Sequence, residues 1–204
     1  MRDADIRLSL KQHLAAKFGK DPSTLIVDEF SLCCGRVRAD IAVINGEMKG
    51  FEIKSDSDSL RRLSTQLAFY GKVFDTATLV VGPRHLAKAI ELVPPWWGIL
   101  LASEDPLAAI KLERVRVEGR NPQVDPQALA QLLWRDEVLT HLRLHNLHRG
   151  LLRKPRKFIW EQFVKNCTAE ELQGIVRSQL KSRKNWPPAV ARTKCDARFR
   201  PLSM

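Results

Sequence analysis

Apolar and polar positions alternate with a period of two over residues 37–44. Val37, Ala39, Ile41 and Val43 point to one side, Arg38, Asp40, Ala42 and Ile44 to the other. The run is rich in β-branched residues and predicts a strand. Asn45-Gly46 supplies a turn that Gly50 closes, and residues 51–54 predict a second strand, giving a β-hairpin. A helical period predicts a helix over residues 4–18, with Ile6, Leu8, Leu10, Leu14 and Ala15 as its apolar positions and Gly19 as its stop. A further strand starts at residues 25–27. The cap-forming residues 55–59 precede a helix that places Leu60, Leu63, Leu67, Tyr70 and Phe74 on one stripe. Residues 78–81 predict a strand, 85–92 a short helix with Leu86, Ala89 and Ile90 inward, and 96–101 another strand. Residues 107–117 read as a strand pair or one edge strand.

The pattern changes after a predicted linker at residues 121–126. Residues 127–147 predict one or two helices, with Leu129, Leu132, Leu133, Val138, Leu142 and Leu144 apolar. Residues 158–164 predict a short helix. Thr168-x-x-Glu171 forms a capping box that opens a helix with Leu172, Ile175, Val176 and Leu180 inward. Residues 186–204 read as irregular, with Trp186 and Phe199 as anchors. The expected division is a core over residues 1–120 and a basic, mainly helical region over 121–204.

Charge follows that division. The chain carries +11 over 204 residues. Residues 1–148 hold 20 Lys and Arg against 19 Asp and Glu, whereas residues 149–204 hold 14 against 4. Such a block favours a polyanion partner, most simply nucleic acid, gripped without sequence preference. An apolar content of 44% supports a sizeable core, and no apolar run is long enough for a membrane span. The polar N-terminus does not resemble a signal peptide, so a cytoplasmic protein is expected. Cys33, Cys34, Cys167 and Cys195 lack metal-hook spacing and are expected as free thiols. His141, His145 and His148 fall on one helical face with no fourth ligand at a local spacing.

The hairpin concentrates the chemistry. Centred on Gly46, it sets Asp40 opposite Glu52, with carbons about 5 Å apart. Two carboxylates that close repel, and a divalent cation offsets the repulsion. Oxygen ligation completed by water suits Mg²⁺ or Mn²⁺. Lys54 shares a face with Glu52, where an ammonium stabilises charge developing on a phosphate. The spacing alone fits an exposed strand face with a cross-strand Lys–carboxylate pair equally well.

Taken with Gln66-x-x-x-Tyr70 on the following helix, these residues resemble the PD-(D/E)XK nuclease superfamily. Asp40 and the Glu52-x-Lys54 triplet match its signature, and Gln66 and Tyr70 match the QxxxY motif of its RecB-like branch. The stretch RADIAV…FEIKSDSDSLRRLSTQLAFY is similar to that of small bacterial and phage proteins of the superfamily, and the resemblance covers residues 4–102. Ala39 stands where the name-giving Pro is expected. The resemblance implies an α/β, restriction-endonuclease-like core, a central mixed β-sheet flanked by helices. It also implies an Mg²⁺-dependent deoxyribonuclease of restriction, repair or phage-defence type. Asp40, Glu52 and the carbonyl of Ile53 would hold the metal, and Glu29 would add a third acid. Lys54 would orient or activate water, while Gln66 and Tyr70 would position the acidic strands or the DNA backbone.

No GxxxxGK[ST] or GxSxG pattern occurs, which sets aside nucleotide-driven and serine-hydrolase chemistry in this chain. The competing expectation is a noncatalytic module of nuclease-like fold that binds nucleic acid or a partner protein. Endo- versus exonuclease action stays open, as does a homodimer.

Overall fold

The computed structural model describes residues 1–106 and 109–183; Cys195, the proposed anchors Trp186 and Phe199, and the basic residues of 184–204 lie outside the described residues. Six strands form one mixed sheet whose spatial order follows the chain. They are β1 (Leu25–Leu32), β2 (Val37–Ile44), β3 (Met48–Lys54), β4 (Thr76–Val81), β5 (Gly98–Asp105) and β6 (Ala109–Arg116). β1, β2 and β3 pair antiparallel, β3, β4 and β5 pair parallel, and β6 returns antiparallel along β5. The two parallel pairs need crossovers. A 3₁₀ turn at Leu60–Arg62 with α2 (Leu63–Tyr70) supplies one, and α3 (Leu86–Leu92) the other. β4 is buried along its whole length, as its unbroken run of small and β-branched residues demands of a central parallel strand.

The hairpin register is the one expected from a turn at Gly46. Ile41 pairs Phe51, Ala42 pairs Gly50 and Ile44 pairs Met48, so Asp40 falls opposite Glu52 one step past the ladder. Its two faces are buried differently. Ile41, Val43, Phe51 and Ile53 pack with Val80 beneath α1 (Asp3–Phe18), which contributes Ile6, Leu10 and Leu14. Ala42, Ile44, Met48 and Leu79 face a larger cluster on the other side. That cluster takes in Tyr70 of α2 and buried residues of α4 (Pro126–Ala130), α5 (Arg135–Leu144), α6 (Arg156–Lys165) and α7 (Ala169–Ser182). Ile159, Trp160, Phe163, Leu172, Val176 and Leu180 all belong to it. The architecture is thus an α/β sheet flanked by helices on both faces, with a C-terminal helical region packed on one of them.

Several expected boundaries and faces shift. α2 stops at Tyr70, and Phe74 lies beyond the helix, where its ring lies so close to Gly50 that a Cβ there would come within 2.4 Å of it. Leu144 is 76% exposed because it lies two residues past Leu142, on the opposite side of α5. Ile90 is 45% exposed, since the short α3 buries only the face that carries Ala89. α5 ends before His148, and Asn146 turns the chain with φ 58°, so His148 leaves the His141–His145 face. The segment expected as a linker is anchored: Asn121 donates its amide to the carbonyls of Gly71 (2.7 Å) and Phe74 (2.8 Å).

Candidate functional site

Glu52 lies in β3 at 1% exposure, and both of its oxygens are engaged. The Tyr70 hydroxyl sits 2.6 Å from Oε2 and 3.1 Å from the carbonyl of Phe51. Lys54 Nζ reaches Oε1 at 2.5 Å, and Gln66 Nε2 donates to the same oxygen. The i, i+4 spacing on α2 is what brings Gln66 and Tyr70 to one carboxylate. Gln66 Oε1 is buried without a hydrogen-bond partner among the described residues. Burial, then the field of Asp40, push the Glu52 carboxyl up to about 7 against the opposing pull of Lys54 and the Tyr70 hydroxyl. Burial and the nearby Glu52 charge push the Tyr70 phenol well above its ordinary value.

Asp40 is held from two sides. Its Oδ2 accepts the backbone N–H of Ile53 at 2.7 Å, which locks β2 to β3 beyond the last ladder pair. Its Oδ1 meets Arg7 Nη2 at 2.7 Å, and Arg7 Nη1 also donates to the Asp40 carbonyl at 2.9 Å. Arg7 reaches Glu29 Oε1 at 3.4 Å, and Arg38 Nε lies 3.5 Å from Glu29 Oε2. Although burial works against its charge, the pull of Asp40 raises the Arg7 guanidinium above its ordinary value. Glu29 sits at φ 52° between the Asp28↔Ile41 and Phe30↔Ala39 pairs. That left-handed backbone is uncommon for a residue other than Gly.

The structure therefore brings Asp40, Glu52, Lys54, Gln66 and Tyr70 together. Ile53 contributes its N–H to Asp40, while its side chain packs on the α1 face. Glu29 stands at the edge of this group, ion-paired with Arg7 and Arg38. Among the described residues no group of three or more His, Cys, Asp or Glu side chains is arranged to hold a metal ion. Arg7 is the residue that sequence reasoning missed. It lies 33 positions from Asp40 on a helix whose polar face carries many charges, and no local spacing links the two.

Beside the acids, the loop after β3 is tied to the loop after β4. Asp58 accepts the Ser55 N–H (2.7 Å) and hydroxyl (2.6 Å), and its carbonyl lies 2.9 Å from His85 Nε2. Asp56 Oδ1 accepts the Arg84 N–H at 3.0 Å. Elsewhere, Trp97 is fully buried against Tyr70, with ring centroids 5.1 Å apart, so it packs rather than stacking on bases. His141 and His145 stack at 4.7 Å on α5, and burial, followed by the His145 charge, lowers the His141 imidazole. Cys33, Cys34 and Cys167 are free thiols. No described helix is long and apolar enough to cross a membrane.

Protein cII of Enterobacteria phage P4 is 32% identical over 100 residues, 49% of this chain. The chain spans 38% of the length of that relative. Among solved structures, Pyrococcus furiosus SfsA in complex with Ca²⁺ matches over 57% of this chain and 64% of its own, at 16% identity and a TM-score of 0.33. That likeness is too loose to carry an argument about fold or activity. The family model described as bacteriophage P4 protein cII matches residues 1–193, nearly the whole chain, and the protein belongs to that family.

Proposed function

We propose that this protein is a divalent-metal-dependent nuclease that hydrolyses phosphodiester bonds of DNA. The observation that carries the reading is the convergence of Lys54, Gln66 and Tyr70 on the buried Glu52, with the charge of Asp40 felt at the same carboxylate. Isolated buried charges are costly, and a fold keeps such a set when it has a use for it. The donor set fits a hard cation. Mg²⁺ takes one or two carboxylates and completes its shell with water, so Asp40, Glu52 and the carbonyl of Ile53 would suffice, with Glu29 at the edge. Gln66 Oε1 is an acceptor without a donor beside that place. Bound Mg²⁺ or Mn²⁺ would supply Lewis-acid polarisation of the phosphate and acidify a water. Lys54 orients that water and stabilises the extra negative charge as the new P–O bond forms and the bond to the leaving oxygen breaks. Tyr70 and Gln66 hold Glu52 in place, and Arg7 holds Asp40.

A second reading, a noncatalytic module that binds nucleic acid or a partner protein, is favoured by one observation. Arg7 and Lys54 already neutralise the two acids. Incubating the purified protein with linear, circular and single-stranded DNA separates the readings. Mg²⁺, Mn²⁺ or EDTA is supplied in turn, beside Asp40→Ala and Lys54→Ala. The nuclease reading expects metal-dependent cleavage that both substitutions abolish. Binding without cleavage under every metal supports the second reading, and equal cleavage by all three proteins points to a contaminant.

A further inference from the structure

We infer that the cleft beside the acidic site, outside the ends of β3 and β4, holds a phosphate of a nucleic-acid strand. The inference rests on the reading of the chain as a DNA-processing protein and gives that reading a second contact point. The cleft has a volume of about 490 Å³ and is lined by Arg61, Arg84, His85 and Lys88 with Ser59 and Ser64. Asp58 is its one acid, and its carboxylate is turned to Ser55. The side chains of Arg61 and Lys88 are exposed and make no hydrogen bond or ion pair among the described residues, while the Arg61 N–H donates to the Ser59 hydroxyl at 3.2 Å. Arg84 Nη1 donates to the carbonyl of Asp56 (3.1 Å), whose carboxylate accepts the Arg84 N–H (3.0 Å). Cations and hydroxyls with no opposing free carboxylate suit a phosphate oxyanion.

Position adds to chemistry. β3 and β4 finish side by side, and the cleft opens beyond their carboxyl ends between the segments that follow them. The Gly82 N–H donates to the Lys54 carbonyl at 3.0 Å, and Arg84 of the cleft follows two residues later. Gly82 has no room for a side chain, because a Cβ would lie 2.3 Å from Asp56 Oδ1. A strand whose scissile phosphate lies at Glu52 and Lys54 would carry a neighbouring phosphate into this cleft.

The test is fluorescence anisotropy of short single-stranded DNA in EDTA, where binding is read without cleavage, over a range of salt. The DNA carries either a 5′-phosphate or a 5′-hydroxyl. Arg61→Gln/Lys88→Gln should bind roughly tenfold more weakly than wild type, with a salt slope shallower by about 0.7 per lost contact. Arg61→Lys/Lys88→Arg should restore binding. Preference for the 5′-phosphate identifies a terminal phosphate as the occupant; equal binding identifies an internal one. Unchanged affinity and slope in the Gln pair, or no binding by wild type, overturns the inference. Cleft-dependent binding by a protein that cuts nothing leaves the inference standing while the nuclease reading falls.

Discussion

Glu52 is a carboxyl buried to 1% exposure, and its surroundings show how it is tolerated. Tyr70, Lys54 and Gln66 offset its burial only in part, so the carboxyl sits near 7. The folded carboxyl keeps its proton up to about 7, whereas an unfolded one loses it near 4.5. The folded state therefore binds the extra proton in that window, and stability falls as pH rises through it, by at most ~3 kcal/mol. Glu52→Gln should flatten this slope. Urea midpoints at about pH 5 and about pH 8 read the difference; the same slope in both proteins would refute the assignment. Tyr70→Phe strips Oε2 of its donor in a fully buried place and should cost about 1–3 kcal/mol of unfolding free energy, measured in the same way. A loss within error would mean that another donor serves Oε2.

At the scale of elements, the hairpin was legible from two local rules, one of them only in part. The alternation held only over residues 41–44: Val37 and Ala39 pack with Ala42 and Ile44, on the side opposite Ile41 and Val43, beside the irregular Glu29 of β1. A turn at Gly46 chose the register that sets Asp40 across from Glu52. The i, i+4 spacing of Gln66 and Tyr70 placed both on one side of α2, but which strand that side meets is a tertiary fact. The helix stripe misled at Phe74, which leaves α2 and packs beneath β3. Arg7 shows the limit most clearly. Its meeting with Asp40 and Glu29 depends on how α1 lies across the sheet, and it sits in no pattern that announces it. The close packing of Phe74 on β3 has a measurable consequence. Gly50→Ala forces a methyl into the Phe74 ring, so it should destabilise the fold by about 1–3 kcal/mol in urea titration. Thr168→Ala removes the acceptor for the Glu171 N–H at the start of α7 and should cost about 1 kcal/mol. A neutral result would show that the Phe74 ring gives way in the first case and that another acceptor serves the Glu171 N–H in the second.

Across the chain, the acidic pair and the excess of positive charge belong to different regions. The acidic pair lies at the sheet, ringed by Arg7, Lys54 and the cleft cations, and the excess positive charge belongs to residues 149–204. The described part of that region does not hang free, since α6 and α7 bury their apolar faces in the same cluster as β2 and β4. The sequence revealed its helices and its charge but not that packing, because amphipathic faces do not name their partners. Exposed Arg149, Arg153, Lys154 and Lys157 can be changed to Gln without touching that core, whereas Arg156 stays because its guanidinium lies over the buried Trp160 ring. The fourfold variant should keep its thermal stability while its DNA affinity falls and loses salt dependence; unchanged salt dependence would remove this segment from the binding surface.

The account turns on Asp40 and Glu52 sharing one cation. Calorimetric titration of Mn²⁺ into wild type, Asp40→Asn and Glu52→Gln tests this without any substrate. One Mn²⁺ should bind each wild-type chain, and either substitution should abolish that binding while the protein stays folded. Absence of binding in the wild type, or binding that survives both substitutions, would contradict the account.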